Sequence, residues 1–291
     1  MSSPERRDFR LVHRLRVRWA EVDAQRIVFN PHYLMYLDTA FTEYWRALAI
    51  PYDMIPTLLG GDMYVKKSTL EYHGSARLDD LLDVGVKCQR IGTSSLLFVG
   101  GIFRGDTLLV SSELVYVFAD PASQTPRPVP AVLRDLFTAF EAGAPTIEVR
   151  LGAWAELGAR AGPLRRSVFM EELAIPADLQ YDGADDAAVH ALVCNKFDQP
   201  LATGRLVREA AGVARIARVA VAHTVRATGI GRLLVQALVQ VAAERGDKRV
   251  LLQSQSSAEG FYNRLGFAAI AEPTVEAGIP HVEMARVIGK A

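Results

Sequence analysis

The stretch Arg10 to Ala20 reads as a first strand. After it, Asn30-Pro31 opens a helix, because Asn is a good N-cap and Pro fits the first helical turn. Tyr33, Leu37, Ala40, Phe41, Tyr44 and Leu48 then recur at three-and-four spacing, which puts them on one apolar stripe and makes this a core helix. Four strand-like runs follow: Met63 to Tyr72, Leu82 to Ile91, Ser94 to Phe103 and Leu108 to Phe118. The turns between them contain Asp79-Asp80, Gly92-Thr93 and Gly105-Asp106, and such hairpin-sized gaps imply an antiparallel sheet. A strand, a long helix and four more strands is the order expected of a sheet wrapped round a central helix. Pro121, Pro126, Pro128 and Pro130 exclude a central strand from the next segment, and a short helix from Ala131 to Ala142 closes the first domain.

Gly143 to Gly162 is rich in Gly and Ala with few large apolar residues, so the boundary is placed there. The expected division is a first domain over 1–145, a linker region over 146–162 and a second domain over 163–291; 291 residues suit two domains with a core each. In the second, Arg218 to Val221 is a short β-branched run, Gly229 to Arg245 an amphipathic helix and Arg249 to Gln253 another apolar run. Ile230, Leu233, Leu234, Ala237, Leu238 and Val241 are assigned to the buried face of that helix. Strand, helix, strand is typical of a mixed α/β domain, and the chain as a whole is read as α+β.

Composition narrows the function classes. Half the residues are hydrophobic and 23% charged, as in a soluble globular protein. Thirty-three basic residues balance thirty-three acidic ones, so no global field recruits nucleic acid or a membrane surface. Cys88 and Cys194 lie far apart without a metal-binding spacing and are read as buried thiols, with no metal site. Met1 to Arg10 is polar, and no apolar run reaches the roughly 18 residues of a membrane span, so the cytoplasm is the expected location.

Two segments carry chemistry. The first runs V-R-W-A-E-V-D-A-Q-R-I-V-F-N-P-H-Y-L-M-Y-L-D from Val17. A carbonyl under attack needs a nucleophile or base on one side and hydrogen-bond donors facing its oxygen on the other. Asp23 supplies a carboxylate, and the helix start from Asn30 to Tyr33 supplies unpaired N–H groups and a positive dipole end. The segment resembles the active-site stretch of hotdog-fold thioesterases of the 4-hydroxybenzoyl-CoA type, and the likeness continues through Glu71-Tyr72 and Ala76-Arg77-Leu78. That resemblance implies acyl-CoA hydrolysis, Asp23 as the catalytic carboxylate, and the backbone N–H at Asn30 as the oxyanion donor; attack by Asp23 itself and activation of water both stay open. It further implies a homodimer or homotetramer built through edge-to-edge sheet pairing. Glu21 is expected to be a solvated or structural carboxylate and His32 a first-turn helix residue. Arg26 stands where the family usually has Gly, which carries a cost if the turn requires positive φ.

The second segment, V-A-H-T-V-R-A-T-G-I-G-R-L-L, sits between a strand and a helix and places Arg226, Gly229 and Gly231 at R-x-x-G-x-G spacing. Glycines at a helix start let backbone N–H groups approach a pyrophosphate. Downstream stands A-E-G-F-Y-N-R-L-G-F from Ala258 to Phe267. Together these resemble GNAT N-acetyltransferases. The resemblance implies that acetyl-CoA is held by Val219, Val221, Arg226, Ala227, Thr228, Gly229, Ile230, Gly231 and Arg232. It also implies that Tyr262 protonates the departing thiolate, with Phe261 and Leu265 forming the core pair that leaves Tyr262 facing elsewhere. Arg166-x-Val168-Phe169-x-x-Glu172, Tyr181-Asp182-x-x-Asp185 and Gly278-Ile279-Pro280-His281 mark one GNAT subgroup. Glu172, His190 and His281 are candidate acceptor-side groups, each with a structural alternative.

The expected protein is therefore bifunctional, using acyl-CoA and acetyl-CoA as substrates, with no tightly bound cofactor and an unspecified amine acceptor. Two alternatives compete with it: a thioesterase whose GNAT half only senses acetyl-CoA, and an acetyltransferase whose hotdog half is a dimerisation scaffold.

Overall fold

The computed structural model describes residues 3–177, 182–276 and 278–288, without the side chains of Asp53 and Glu276. The chain divides into two units between Thr146 and Ile147.

In the first unit, β1 (Leu11–Arg16) precedes α1 (Pro31–Ala47), a short α2 (Ile55–Leu59), and β2 (Asp62–Tyr72), β3 (Leu81–Ile91), β4 (Ser95–Arg104) and β5 (Thr107–Ala119); α3 (Ala131–Glu141) closes it. The strands form one antiparallel sheet in the order β1-β3-β4-β5-β2. β1 stops short of Ala20, because the backbone turns into a single 3-10 turn at Trp19–Glu21. All six residues of the expected stripe on α1 are buried. Phe41 stacks on Tyr116 at 4.3 Å, and Gly100 leaves room for Leu37, since a Cβ there would lie 2.5 Å from Leu37 Cδ2. Burial of each such side chain contributes about 1.5–3 kcal/mol. Glu141 pins α3 to the core by accepting from Tyr44 Oη at 2.6 Å and Cys88 N at 2.9 Å.

The second unit begins with β6 (Ile147–Gly152) and α4 (Trp154–Arg165), which runs on as a π-helical segment, Arg166–Glu172. Then come β7 (Val189–Asn195), β8 (Pro200–Ala210), β9 (Val213–Val221), α5 (Ile230–Glu244), β10 (Arg249–Gln255), α6 (Glu259–Asn263), β11 (Ala268–Ala269), β12 (Thr274–Glu276) and β13 (Ile279–Val287). The sheet order is β11-β13-β10-β9-β8-β7-β6, with β12 on β13. Among the described strands only β9 and β10 run parallel.

Residues 146–162 are folded rather than a linker. Ile147 to Gly152 pair with β7, and Leu157 and Ala161 of α4 pack against Leu192 and Cys194. The alternation Ile-Glu-Val-Arg-Leu is a strand signal inside that glycine- and alanine-rich region. The buried face of α5 is also turned from the expected one. Ile230, Leu234, Val235, Leu238, Val239 and Ala242 are buried, whereas Leu233 is 40% exposed. Cys88 and Cys194 are both buried free thiols. Among the described residues no helix is long and apolar enough to cross a membrane, and no His/Cys/Asp/Glu group could hold a metal.

Candidate active sites

In the first unit, Val22 and Val28 form an isolated antiparallel bridge. Between them Asp23 N donates to Ile27 O at 2.9 Å, and Arg26 N donates to Asp23 O at 2.9 Å. The turn needs a left-handed residue where it closes, and Arg26 takes that conformation, with φ +62°. Gln25 N donates to Asp23 Oδ1 at 2.8 Å, leaving Asp23 Oδ2 for other partners on a half-buried residue. Phe29 N reaches back to Glu21 O, so the ladder that carries Asp23 also delivers the chain to the start of α1. There Asn30 is the exposed N-cap and Pro31 the first helical residue. Pro31 has no N–H, and the N–H of Asn30 donates to no described group. A carboxylate and a free helix-start donor thus lie on the two ends of one short hairpin.

Glu21 is structural. It is 3% exposed and accepts from Arg18 N, Arg18 Nε and Tyr36 Oη, each at 2.7 Å; those bonds hold its carboxyl below the usual range in spite of burial. His32 sits in the first turn as expected, with a buried Nδ1 that lacks a partner.

In the second unit the chemistry gathers round a cavity of about 1460 Å³. Its cause is a splay in the sheet. β10 pairs with β13 along its whole length but with β9 only over Val213 to Ile216, so the two strands part beyond Leu252 and Ala217 to Val221 of β9 lack a neighbour on that side. A bulge at Arg218, with φ +55°, bends β9 at the same place. Val219, Val221, Arg226, Ala227, Thr228, Gly229, Gly231 and Arg232 all line the cavity, whereas Ile230 is buried beneath the loop. Ala227 and Gly229 adopt φ +65° and +93°, turning the chain into α5, whose first intrahelical bond runs from Leu233 N to Gly229 O. The N–H groups before Leu233 are therefore open for an anion. Across the splay Tyr262 lines the same cavity. It is 8% exposed, more buried than Phe261, so the expected division of labour between these two rings is reversed. Burial pushes the Tyr262 hydroxyl up to about 12, which keeps its proton on at neutral pH.

Of the acceptor-side candidates, Glu172 and His281 line the cavity and His190 does not. Glu172 holds Arg226 by two bonds of 2.6 Å, and the guanidinium keeps its carboxyl below the usual range. His281 donates through Nδ1 to Ile279 O at 2.8 Å. His190 is wholly buried, donating through Nε2 to Asp185 O at 2.9 Å and facing Arg165 Nη2 at 3.2 Å through Nδ1. Burial lowers its pKa, so it is a neutral structural ring. It belongs to an ionic cluster that linear spacing did not reveal. Arg165 chelates Asp185 at 2.9 and 3.0 Å and lies 4.6 Å over the Trp154 ring, and Arg205 bridges Asp185 and Asp182. Arg218 reaches Asp182 Oδ2 at 3.0 Å. Tyr181 lies outside the described residues.

Comparison with known proteins matches the two units to two families. Residues 25–111 fit the model of the thioesterase superfamily, and residues 167–288 that of the GNAT acetyltransferase domain. The chain is 32% identical over 130 residues to the uncharacterised Bacillus subtilis protein YyaT, covering 44% of this chain and 86% of that one. It is 30% identical over 122 residues to the uncharacterised N-acetyltransferase YjcF of the same organism, covering 42% and 86%. It is also 30% identical over 117 residues to the acyl-CoA thioester hydrolase YbgC of Escherichia coli, covering 40% and 87%.

Proposed function

We propose, for a chain that belongs to the thioesterase superfamily through its first unit and to the GNAT acetyltransferases through its second, that both units are catalytic: the first hydrolyses an acyl-CoA thioester and the second transfers acetyl from acetyl-CoA to an amine. Acyl-CoA and acetyl-CoA enter as substrates drawn from the cytoplasm, and the first unit assembles as a homodimer or homotetramer.

For hydrolysis, the thioester oxygen accepts from the Asn30 N–H at the positive end of α1, while Asp23 attacks the carbonyl carbon or draws a proton from the water that does. With water as the attacker, its oxygen bonds to the acyl carbon, the C–S bond breaks, and the proton taken by Asp23 passes to the thiolate. With Asp23 as the attacker, the thiolate takes its proton from solvent and water then cleaves the acyl–Asp23 anhydride. The observation that supports this is the free Asn30 N–H at the foot of the hairpin that carries Asp23. Arg26 favoured the scaffold alternative. Its left-handed φ and intact turn hydrogen bonds preserve the loop without glycine, which removes that support.

For acetyl transfer, the N–H groups from Gly229 to Arg232 receive the pyrophosphate. The vacant side of β9 from Ala217 to Val221 offers backbone groups to the amide-bearing arm of the coenzyme, as a sheet edge accepts a strand. The ammonium first gives a proton to solvent. The freed amine nitrogen then bonds to the acetyl carbon, the C–S bond breaks, Tyr262 passes its proton to the departing sulfur, and the second proton shed by the nitrogen returns through water to the Tyr262 oxygen. The observation that supports this is the cavity in which strand splay, helix start and a protonated Tyr262 meet.

The test uses the full chain, following free thiol and acetylated amine separately over an acyl-CoA and amine panel. Asp23→Ala should lower hydrolysis by at least about a hundredfold with acetyl transfer unchanged. Gly229→Val should abolish acetyl-CoA binding by calorimetry, since a branched residue at φ +93° distorts the loop, whereas Tyr262→Phe should bind normally and transfer slowly. Near-normal hydrolysis by Asp23→Ala would make that residue part of a turn and nothing more. Equal binding by Gly229→Val would reduce the loop to a helix start.

A further inference from the structure

We infer that Glu172 is the residue that receives the cationic amine of the acetyl acceptor, and that Arg226 covers it until coenzyme arrives, so that acetyl-CoA binds before the acceptor. The inference rests on the acetyltransferase reading of the second unit.

Among the described residues lining the cavity, the carboxylates are Glu172 and Asp182. They differ in what holds them. Asp182 is clamped by Arg205 and Arg218 and by the N–H of Ala184, and Arg205 is 3% exposed and also bound to Asp185. Nothing that enters the cavity would draw Arg205 out of that cluster. Glu172 is bound by Arg226 alone, both guanidinium Nη atoms lying 2.6 Å from its two oxygens. Arg226 is anchored at the far side by a 3.1 Å bond from Nε to Val221 O, so its side chain spans from the coenzyme loop to the wall of the cavity.

Arg226 opens the turn that presents the N–H groups of α5 to an anion. A pyrophosphate seated there brings more than one negative charge and several oxygens to a guanidinium, which binds such groups bidentately and more strongly than one partly solvated carboxylate. Arg226 then changes partner. Glu172 is left charged, facing a cavity it shares with Phe169 and His281. A carboxylate uncovered in a walled cleft attracts an ammonium group. Its position has a second unusual feature: Glu172 ends a seven-residue π-helical segment, a rare irregularity that recurs at functional sites. The π turn directs Val168, Phe169 and Glu172 together to the cavity, giving an acceptor an apolar wall beside its cationic end. The matching acceptor is a primary amine on an apolar or aromatic body.

Calorimetry and steady-state kinetics on the full chain, with 2-phenylethylamine as the acceptor, test this with Glu172→Gln, which keeps size and hydrogen bonding but removes the charge. Glu171→Gln, one residue away on an exposed pair with Arg166, is the control. Expected is acetyl-CoA binding by Glu172→Gln that is tighter than native, by up to about fivefold, the value of releasing one half-exposed ion pair. Expected with it is a rise of at least about tenfold in acceptor KM. The native protein should bind no acceptor amine without coenzyme, and the control should match native throughout. Weaker coenzyme binding by Glu172→Gln at an unchanged melting temperature would make the pair a brace for the loop and overturn the inference. So would an unchanged acceptor KM, or acceptor binding to the coenzyme-free protein. If native protein itself failed to bind acetyl-CoA, the acetyltransferase reading would fall first and this inference with it.

Discussion

Arg26 gives the cleanest test of how the first site is built. Its exposed side chain makes no hydrogen bond among the described residues, so replacing it changes the backbone preference and little else. A non-glycine residue in the left-handed region costs roughly 1–2 kcal/mol. Glycine removes that cost but gains about 0.5–1 kcal/mol of unfolded-state freedom. Arg26→Gly should therefore stabilise the first unit by about 0.5–1 kcal/mol, or roughly 2 °C for a unit near 150 residues. Arg26→Val goes the other way, since a β-branched side chain suits positive φ worst, and a loss of about 1–2 kcal/mol is expected. Scanning calorimetry of the full chain reads both shifts in the transition of the first unit. Hydrolysis should be retained in Arg26→Gly, because the bonds from Asp23 N to Ile27 O and from Arg26 N to Asp23 O persist. A lower melting temperature for Arg26→Gly, or no difference between Gly and Val, would show that the turn does not impose the conformation, and the account of the Asp23 loop would fail.

Three further outcomes follow from other parts of the molecule. Asp185→Ala leaves Arg165 buried without its carboxylate and Arg205 with Asp182 alone, and should destabilise the second unit by about 3–5 kcal/mol in urea melts; a loss under 1 kcal/mol would show that the cluster is not a structural keystone. Acid should weaken the same unit. The folded state holds His190 below its ordinary 6.5 and Asp182 and Asp185 below 3.8, so in each case the unfolded chain takes up the proton first. Stability should thus fall gently below about pH 6.5 and steeply below about pH 4, and a melting temperature that held steady from pH 7 to pH 3 would contradict this sign. In the first unit, β2 is an eleven-residue edge strand with Val65 55% exposed. Pairing between two copies would satisfy that edge, so light scattering at micromolar concentration should show a dimer or larger, and a monomer would count against it.

How much of this was legible in the sequence depended on whether the signal was local. Periodicity and turn residues are local, and they placed α1 and β2 to β5 within a residue or so. The turn at Asp23 and the placing of Gly229 and Tyr262 on one cavity have a related origin: each belongs to a short motif in which neighbours in sequence are neighbours in space. Where composition competed with pattern, composition misled. The glycines and alanines of 143–162 suggested a linker, yet the two-residue alternation of Ile147 to Leu151 decides that segment, which pairs residue for residue with β7 as the edge strand of the sheet. The face of α5 failed differently. Apolar residues occupy more than half its circumference, so Leu233 and Val235 were equally eligible, and only the sheet beneath it selects Val235. The ionic cluster and the Glu172–Arg226 pair had no local signal whatever. Arg165, Asp185 and Arg205 are twenty residues apart, and Glu172 is fifty-four from Arg226. Such contacts exist only once α4, β8 and the coenzyme loop have been brought to the same splayed sheet. Yet they decide which charges face the cavity and which are already spent on the fold. A motif can thus locate a helix start beside a cavity, whereas the charges that face that cavity are set by long-range pairing and become readable only in three dimensions.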